Sequence, residues 1–325
     1  MRNEIRKRLF MTLTQFKYVL EVEKMGSINH AANNLFVSQS VLSTSIKKLE
    51  EELGYQIFTR THRGITCTPL GKTFLSYIRP IHEQVQNINR MIEDVSNQHT
   101  ISLSIASSGW TFLSTIMAEL YQRYQTAGLR LEYYEAFGSE PENLVANHIA
   151  DIGFIRRYTC YQRSNHANFK ALKLHFFPIY SADIGVTVSP ANPLFYNKSN
   201  FITTDMLRGS VPILHTYFDA GPYSNILTQL RIPVSPNRFM VTSRAAMYEI
   251  LAHTNSYYIN SVFVHSEKNI RTEGMVSPQR TLILKDCDIK SEFGWFKREN
   301  ATLNTIAMDL VNMVSSYFSN NFSFL

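Results

Sequence analysis

The sequence predicts an α+β multidomain protein with a small N-terminal helical module, a long helix and a larger α/β domain. At 325 residues with 44% hydrophobic residues, the chain is longer than a single core usually accommodates. Up to about residue 99, the apolar residues recur at helical spacing. From residue 100 onward, strand-like and helix-like segments alternate, which is typical of βαβ units on a parallel sheet.

The positive charge of the chain is concentrated at its N-terminus. The formal net charge is +6, and residues 1 to 75 carry five of these six charges. A basic module joined to a nearly neutral one is typical of a protein that binds a polyanion through the basic part. A basic surface that serves only solubility is the alternative.

Two short helices follow each other closely in this module. Ser27 is a suitable N-cap for the first, whose apolar residues Ile28, Ala31, Ala32 and Leu35 have helical spacing. Gly26 ends the helix before it, whose expected buried residues are Leu13, Phe16, Val19 and Leu20. Ser38 can cap the next helix, whose apolar stripe is Leu42, Ile46, Leu49 and Leu53.

The outward face of that last helix is unusual in composition. Ser40, Thr44 and Lys47 lie opposite the apolar stripe, with Ser43 on its flank and Gln39 in the first turn. Small hydroxyls and an amide allow close approach and hydrogen-bond with base edges and phosphates. The pattern therefore predicts a DNA-recognition helix in a helix-turn-helix. The polar surface of an ordinary three-helix bundle is the alternative.

A hairpin and a long helix follow. The segment "GYQIFTRTHRGITCT" reads as two short strands, with Arg60 and Arg63 placed to contact phosphates or a minor groove as a wing. The nearby Gly71, Lys72 and Thr73 are not a phosphate-binding loop, because Thr66 stands where such a loop needs glycine.

The long helix is capped by Thr68, starts at Pro69 and contains Pro80, which should kink it or confine its regular part to the C-terminal end. Its apolar residues have the heptad spacing of a dimer seam: Phe74, Ile78, Ile81, Val85, Ile88, Ile92 and Val95. Packing of this stripe on the protein's own core is the alternative.

Several function classes find no support in the sequence. No apolar run is long enough for a membrane span, and we expect a cytoplasmic protein that does not contact a membrane. Cys67, Cys160 and Cys287 are far apart in the sequence and read as reduced thiols rather than a disulfide framework or a redox switch. We find no catalytic motif, metal-ligand spacing or cofactor signature, so an enzyme is not expected. The basic segment before Met11 is either an arm or the product of an upstream start codon, and we favour the second interpretation.

The segment from Thr14 to Leu75 resembles the N-terminal domain of LysR-type transcriptional regulators along its whole length. The similarity rests on ordered blocks: "GS", "AA..L.VSQ", "LS..I..LE.ELG", "IFTRTHRG" and "T..G". This resemblance implies a bacterial regulator with a winged helix-turn-helix, a dimerising linker helix and a periplasmic-binding-protein-like effector domain of two subdomains. It also implies a homodimer or homotetramer that binds double-stranded DNA, a small-molecule effector and RNA polymerase.

The family's DNA contacts can be carried over residue by residue. They fall on Gln39, Ser40, Ser43 and Thr44 in the recognition helix and on Arg60 and Arg63 in the wing, and we add Ser38, Lys47, His30 and Asn33 as candidates. Two positions depart from the family pattern, which usually has proline at Ser40 and often arginine at Thr44. Base preference is therefore expected to be unusual.

The domain boundaries and the effector site follow from the same reading. We expect the DNA-binding domain at 1–68, the linker helix at 69–99 and the effector domain at 100–325, with subdomain I at about 100–179 and 271–325 and subdomain II at about 180–270. Candidate effector contacts lie where strands end and helices begin: Ser107, Ser108, Thr111, His215 and Thr216. Helix capping is the alternative role for the first three. A regulator controlled by a protein partner or by thiol oxidation, without a small molecule, is the alternative function.

Overall fold

The structure of the chain is a computed structural model that describes residues 11–61, 64–96, 101–220, 223–262 and 277–321. Its internal contacts divide the chain into an N-terminal unit, Met1–Ser96, and a C-terminal unit, Asn97–Leu325. No helix in the described ranges is long and apolar enough to cross a bilayer.

The N-terminal unit consists of three helices, a two-stranded antiparallel hairpin and a long helix. Their bounds are α1 Leu13–Met25, α2 Ile28–Asn34, α3 Gln39–Leu53, β1 Phe58–Thr61, β2 Gly64–Cys67 and α4 Pro69–Ser96. The three predicted caps are confirmed, because each cap hydroxyl accepts a hydrogen bond from a backbone N–H in the first turn of its helix. Ser27 accepts from His30 (3.4 Å), Ser38 from Val41 (3.3 Å) and Thr68 from Gly71 (2.9 Å).

The core of this unit joins all the helices to the hairpin. One predicted member is wrong: Leu13 is 48% exposed, and Val22, which lies one helical step beyond Val19, is fully buried instead. Gly71 is a packing residue, since a Cβ there would lie 2.1 Å from the carbonyl oxygen of Ile57. The "GKT" segment therefore lets α4 start against the hairpin.

The C-terminal unit is built on a ten-stranded mixed sheet with the main order β4-β3-β5-β12-β6-β10-β8-β9, to which β11 and β7 are added beside β6. The strands are β3 Ile101–Ser107, β4 Leu129–Glu135, β5 Ile152–Tyr158, β6 Leu174–Val188, β7 Phe201–Ile202, β8 Val211–His215, β9 Phe239–Val241, β10 Ser256–Val262, β11 Arg280–Leu284 and β12 Lys290–Arg298. The helices are α5 Thr111–Tyr124, α6 Glu140–Ala146, α7 Gln162–Ala171, α8 Tyr217–Ala220, α9 Ile226–Gln229, α10 Arg244–His253 and α11 Thr305–Asn321.

Strand β6 connects two halves of this unit. Its residues 174–183 pair with β12, whereas residues 183–188 lie between β10 and β11. The first half comprises β3, β4, β5 and β12 with α11 in its core, and the second half comprises β7, β8, β9, β10 and β11. The 15-residue strand β6 thus runs through both halves.

One expected boundary between the halves is wrong. Residues 271–325 were expected in subdomain I, which corresponds to the first half, but strand β11 in this range pairs with the end of β6 and with β7. Leu282 and Leu284 are buried in the core of the second half. The chain therefore returns to the first half only with β12, because an antiparallel neighbour of β6 at residues 185–188 must lie in the second half.

Candidate functional sites

The outward face of α3 is formed by small polar side chains, as predicted. Gln39, Ser40, Thr44 and Lys47 are exposed and Ser43 is half-buried, whereas Leu42, Ile46 and Leu49 are buried on the opposite side. Ser38 is engaged locally, because its hydroxyl caps the helix and lies 3.0 Å from that of Ser40. Lys47 Nζ lies 3.8 Å from Glu51 Oε1, and this exposed ion pair contributes little to stability. The exposed candidates on α2, His30 and Asn33, lie on the same helix-turn-helix.

Two apolar side chains on this surface were missed. Phe36, in the turn between α2 and α3, is 96% exposed and has a φ of 54°, which is unfavourable for a bulky residue. Val41 is 52% exposed on α3, next to the polar face. An apolar side chain on a recognition helix can contact a thymine methyl group. The exposure of Val41 could have been predicted, because it lies about 100° around the helix from the buried Leu42. No local sequence pattern predicts the exposure of Phe36.

The hairpin is held against the helices by its backbone. Ile65 donates its N–H to the carbonyl of Gly26 at the end of α1 (2.9 Å). Gly64 has a φ of 120°, and a Cβ there would lie 2.8 Å from the same carbonyl oxygen, so glycine is required. Arg60 lies on β1 opposite Ile65, but its side chain, like all of Arg63, lies outside what the structure describes.

The apolar stripe of α4 divides into two parts. Phe74 and Ile78 were predicted for the dimer seam, but they are 7% and 2% exposed in the core of their own unit. They are corrected to core residues, because the start of α4 packs against α1. Further along, Val85 is half-buried, and four side chains form what we call the α4 ridge, a line of apolar groups 46–70% exposed: Tyr77, Ile81, Ile88 and Ile92. The side chain of Val95 is outside the described part.

The C-terminal unit contains a cavity of about 550 Å³ between its two halves. It lies where β3, β5 and β8 end, the edge at which α/β proteins commonly bind ligands. Its wall is rich in aromatic groups, including six tyrosines: Tyr158, Tyr217, Tyr223, Tyr248, Tyr258 and Tyr317. The volume is that of a small-molecule site.

The predicted effector contacts divide between the wall and other roles. Ser108 and His215 line the cavity. Ser107 does not; it is fully buried, and its hydroxyl accepts hydrogen bonds from the N–H groups of Gly109 and Trp110. Thr216 is exposed and does not lie in the wall. Ser107 and Thr216 are therefore not wall residues of this cavity, and their contact with an effector stays a prediction. The side chain of Thr111 lies outside the described part.

An ion pair crosses the cavity between the two halves. Arg244, at the start of α10, approaches Glu135, at the end of β4, at 3.4 Å. The pair lies over Gly109, which has a φ of 81° and whose hypothetical Cβ would be 2.1 Å from the Arg244 guanidinium. Glycine at this position thus lets the arginine reach the other half.

Arg156 is the most informative residue that the sequence analysis missed. It lies near the end of β5 in the cavity wall, half-buried, with its guanidinium 3.3 Å from the Ser261 hydroxyl and 5.2 Å from the centre of the Tyr158 ring. Burial opposes its charge, but Tyr158, Tyr217 and Tyr223 leave its pKa above the ordinary value. An arginine directly after the buried run "DIGFI" was the available signal, since a charge at the end of a buried parallel strand points to a site.

His215 and Glu142 have altered protonation behaviour. Burial lowers the pKa of His215, and its Nε2 lies 3.0 Å from the carbonyl oxygen of Thr242. Burial raises the pKa of Glu142 to about 7, although Arg157 counteracts this. Glu142 is 5% exposed and lies in the cavity wall, so its carboxyl group is partly protonated near neutral pH.

Cys160 and Cys287 pack against the same hydrophobic core in the second half. Burial raises the pKa of Cys160 to about 11 and also raises that of Cys287. Both thiols are therefore poor thiolate formers. Over the described residues, no three His, Cys, Asp or Glu side chains come together in a way that could hold a metal ion.

Comparison with known proteins identifies the N-terminal unit. The family model described as "Bacterial regulatory helix-turn-helix protein, lysR family" matches residues 13–72. The chain is 28% identical over 151 residues to the nitrogen assimilation regulatory protein nac of Escherichia coli, which is 46% of this chain and 50% of that protein. It is 34% identical over 118 residues to the transcriptional regulator ClcR of Pseudomonas putida, covering 36% and 40% of the two chains. The matched part of the chain thus spans about half the length of these two relatives or less.

The fold extends this similarity beyond the matched sequence. The crystal structure of CbnR, a LysR family transcriptional regulator, has a TM-score of 0.60 and 17% identity, covering 94% of this chain and 99% of CbnR. The structure of full-length CbnR in complex with its target DNA has a TM-score of 0.59, with the same identity and coverage. These two likenesses concern the fold. Residues 13–72 therefore match the LysR-family helix-turn-helix model, and the chain has the fold of CbnR.

Proposed function

We propose that this protein is a sequence-specific DNA-binding regulator of transcription, whose activity responds to a small molecule bound in the cavity of the C-terminal unit. The observation that carries the proposal is the outward face of α3. Gln39, Ser40 and Thr44 are exposed, uncharged hydrogen-bonding side chains at the start of a helix that belongs to a LysR-family module. Such side chains read base edges when a recognition helix enters the major groove.

The basic charge of residues 1 to 75 supports a duplex as the partner, because cationic side chains gain from counterion release on phosphate backbones. Arg60 and Arg63 contribute to this term through the hairpin, and His30 and Asn33 contact the backbone from α2. The protein acts in the cytoplasm, where bacterial DNA lies. RNA polymerase is the partner through which DNA binding alters transcription.

The α4 ridge supports a homodimer. Tyr77, Ile81, Ile88 and Ile92 are exposed apolar groups at coiled-coil spacing, and a second copy of the helix would cover them. Two copies bound to one duplex would read two half-sites of an interrupted inverted repeat. Pairing of dimers into a homotetramer is the further step that the family resemblance implies.

Control by a small molecule requires that the ligand bind two arrangements of the protein with different affinity. The cavity lies between two halves that are joined by β6 and by the Arg244–Glu135 ion pair, so an occupant contacts both halves. Ser108 and His215 remain in this site, and Arg156 is added to it. Ser107 stabilises the loop before α5, because its hydroxyl accepts hydrogen bonds from the N–H groups of Gly109 and Trp110.

A regulator without a small molecule is the second candidate. Thiol control is disfavoured by the raised pKa values of Cys160 and Cys287. Control by a protein partner is the remaining form of this alternative. It predicts that small molecules leave DNA binding unchanged.

The proposal is tested by capturing sheared genomic DNA from the native host with the purified full-length protein at near-physiological salt. We expect a few sharp sites that share an interrupted inverted repeat. Salt-sensitive capture of DNA from all regions of the genome would contradict sequence-specific recognition. Capture of no DNA would contradict DNA binding altogether.

A further inference from the structure

Helix α7 and the residues just after it form a surface with one sign of charge. Between Asp151 and Asp183 the sequence contains five lysines and arginines and no aspartate or glutamate. Four exposed basic side chains of this stretch form what we call the α7 basic face: Arg163, His166, Lys170 and Lys173. The C-terminal unit, which is close to neutral as a whole, thus has a local concentration of positive charge.

The basic side chains lie away from the buried side of α7. Phe169 is 5% exposed and belongs to a hydrophobic cluster that includes residues of α6, β5 and β12. At 100° per residue, Arg163 and Lys170 lie about 20° apart around the helix and at least 100° from Phe169. The exposed residues beside them are small and leave the cations accessible to a large partner: Ser164, Ala167 and Ala171.

The four side chains have no counter-ions among the described residues, where none of them forms an ion pair within 4.0 Å. Lys297 and Arg298 adjoin the face, because the backbone N–H of Glu299 donates to the carbonyl of Lys173 (2.9 Å). Both cations bond to backbone carbonyl oxygens. Glu299 and Asp151 carry negative charge at this end, but Asp151 already accepts hydrogen bonds from β3. The cations therefore outnumber these two carboxylates.

The composition of α7 differs from that of the other cationic helices in this unit. A surface that only keeps a protein soluble usually carries both signs of charge. Among the described helices of the unit, α5 and α10 are of this kind, since each carries an arginine and a glutamate. Helix α7 has three basic residues and no acidic one. A face with a single sign of charge attracts a partner of the opposite sign.

The chemistry of the face suits a nucleic-acid backbone. The helix from Arg163 to Lys170 is about 10 Å long, a distance over which one DNA strand presents about three phosphates. Lysine, arginine and serine side chains are usual partners of phosphate oxygens, and such contacts carry no sequence information. A duplex held by the N-terminal unit also places a polyanion at high effective concentration.

We infer that the α7 basic face binds the phosphate backbone of duplex DNA that flanks the site read by α3. It is a second DNA-binding surface, additional to α3 and the hairpin. It strengthens binding and extends the contacted DNA without changing the base preference. This inference rests on the proposed function, because the N-terminal unit has to hold the duplex.

The test compares two duplexes with the full-length protein. One is a captured genomic site trimmed to its inverted repeat, and the other has two further helical turns, about 20 base pairs, of random sequence on each side. Fluorescence anisotropy at several salt concentrations provides the affinity for each duplex and its salt dependence. We expect the longer duplex to bind more tightly and with a steeper slope of log affinity against log salt concentration.

A double substitution assigns this difference to α7. Arg163→Gln with Lys170→Gln should reduce the slope on the longer duplex by about two units and the affinity by about tenfold, because two phosphate contacts are lost. Binding to the trimmed duplex should not change. Arg163→Lys with Lys170→Arg keeps both charges and should bind like the parent. Arg123→Gln with Lys198→Gln is the matched control, since it removes the same charge from exposed residues outside the face.

Three outcomes would overturn the inference: an unchanged slope for the glutamine variant of α7 on the longer duplex, an equal loss on both duplexes, or an equal loss in the control variant. A fourth concerns another partner. If the glutamine variant binds both duplexes like the parent but supports less transcription by purified RNA polymerase, the face contacts an acidic protein surface instead of DNA.

The proposed function fails by a different measurement. A parent protein that binds the captured site no better than a random duplex of equal length refutes sequence-specific regulation. The α7 variant can still be compared with the parent on that random duplex, because phosphate contacts do not depend on sequence. A parent that prefers the captured site, with no loss in the α7 variant, refutes this inference alone.

Discussion

The two units of this protein present their polar groups in opposite ways. On α3, Gln39, Ser40 and Thr44 are exposed to solvent on an open surface. In the cavity of the C-terminal unit, the unpaired atoms of Tyr158 and Glu142 are buried among aromatic rings. Polar side chains on an open surface cost little free energy before a large partner binds, because water forms hydrogen bonds with them until then. An enclosed cavity admits only a small partner.

This comparison predicts that substitutions on the open surfaces change assembly or DNA binding and leave small-molecule binding intact. Substitutions in the cavity wall should do the reverse. The substitutions below are given from the largest expected effect to the smallest.

The largest effect is expected from Ile88→Lys on the α4 ridge. If two copies pair through this ridge, the substitution removes apolar burial twice per dimer and places two charges in the seam, a loss of roughly 3 to 6 kcal/mol. Sedimentation velocity should then show a smaller species. Gln86→Lys, which is exposed and lies on the other side of α4, is the control. An Ile88→Lys protein that assembles like the parent would contradict pairing through the ridge.

The next effect concerns Glu142 and pH. Burial raises the pKa of the Glu142 carboxyl group from an ordinary 4.5 to about 7. Between pH 4.5 and pH 7 the folded state therefore keeps a proton that the unfolded state has released. Its contribution to stability is therefore present at about pH 4.5 and lost as the pH rises to about 7. Glu142→Gln keeps the neutral shape at every pH and should stabilise the protein by about 3 kcal/mol at pH 8, with little change near pH 5.

Thermal unfolding of the parent and variant at both pH values measures this difference. Glu119→Gln, which changes an exposed carboxyl group on α5, is the matched control. Equal stabilisation by Glu142→Gln at pH 5 and pH 8 would show that the carboxyl group does not titrate as described.

Replacement of Gln39 by alanine tests the open surface of α3. We expect a loss of roughly 1 to 3 kcal/mol on a captured genomic site and little change on random DNA, because a base contact is lost and phosphate contacts remain. Fluorescence anisotropy with both duplexes provides the two affinities. Gln122→Ala, an exposed glutamine on α5, should leave both unchanged. Equal losses on both duplexes would assign Gln39 to the DNA backbone.

Arg63→Ala addresses the hairpin. One lost phosphate contact should reduce the slope of log affinity against log salt concentration by about one unit, on specific and random DNA alike. Binding measured at several salt concentrations provides the slope. An unchanged slope would remove Arg63 from the DNA interface.

The smallest effect is expected for Phe36→Asn. Phe36 has a left-handed backbone conformation and almost no packing to lose, and asparagine tolerates this conformation better. The substitution should raise the free energy of unfolding by about 0.5 to 1 kcal/mol in urea titration. A destabilised variant would mean that the exposed ring has a packing role after all.

The sequence was most informative where structure is decided locally. The caps at Ser27, Ser38 and Thr68 and the outward face of α3 follow from neighbouring residues and helical spacing, and all were predicted. The division of the α4 stripe could not be predicted, because spacing alone does not tell whether Phe74 and Ile78 face a second copy or their own core. The placement of β11 was missed for a similar reason, since either half of the sheet offers it an apolar neighbour.

The residues of the cavity wall could be predicted from the sequence only in part. Ser108 and His215 were predicted in the wall because they follow strands. Arg156 and Glu142 were missed, since their importance depends on which residues from distant segments surround them. The sequence could not show that Ser107 lies behind the wall, because a serine that caps a turn and a serine that faces a cavity look alike in a sequence.

Sequence-specific DNA recognition by α3 can be measured as a single ratio of two affinities. The full-length protein is titrated against a captured genomic site and against a random duplex of equal length at the same physiological salt concentration. We expect a preference for the captured site of about a thousandfold or more. A ratio close to one would contradict it, because binding would then rest on the phosphate backbone alone.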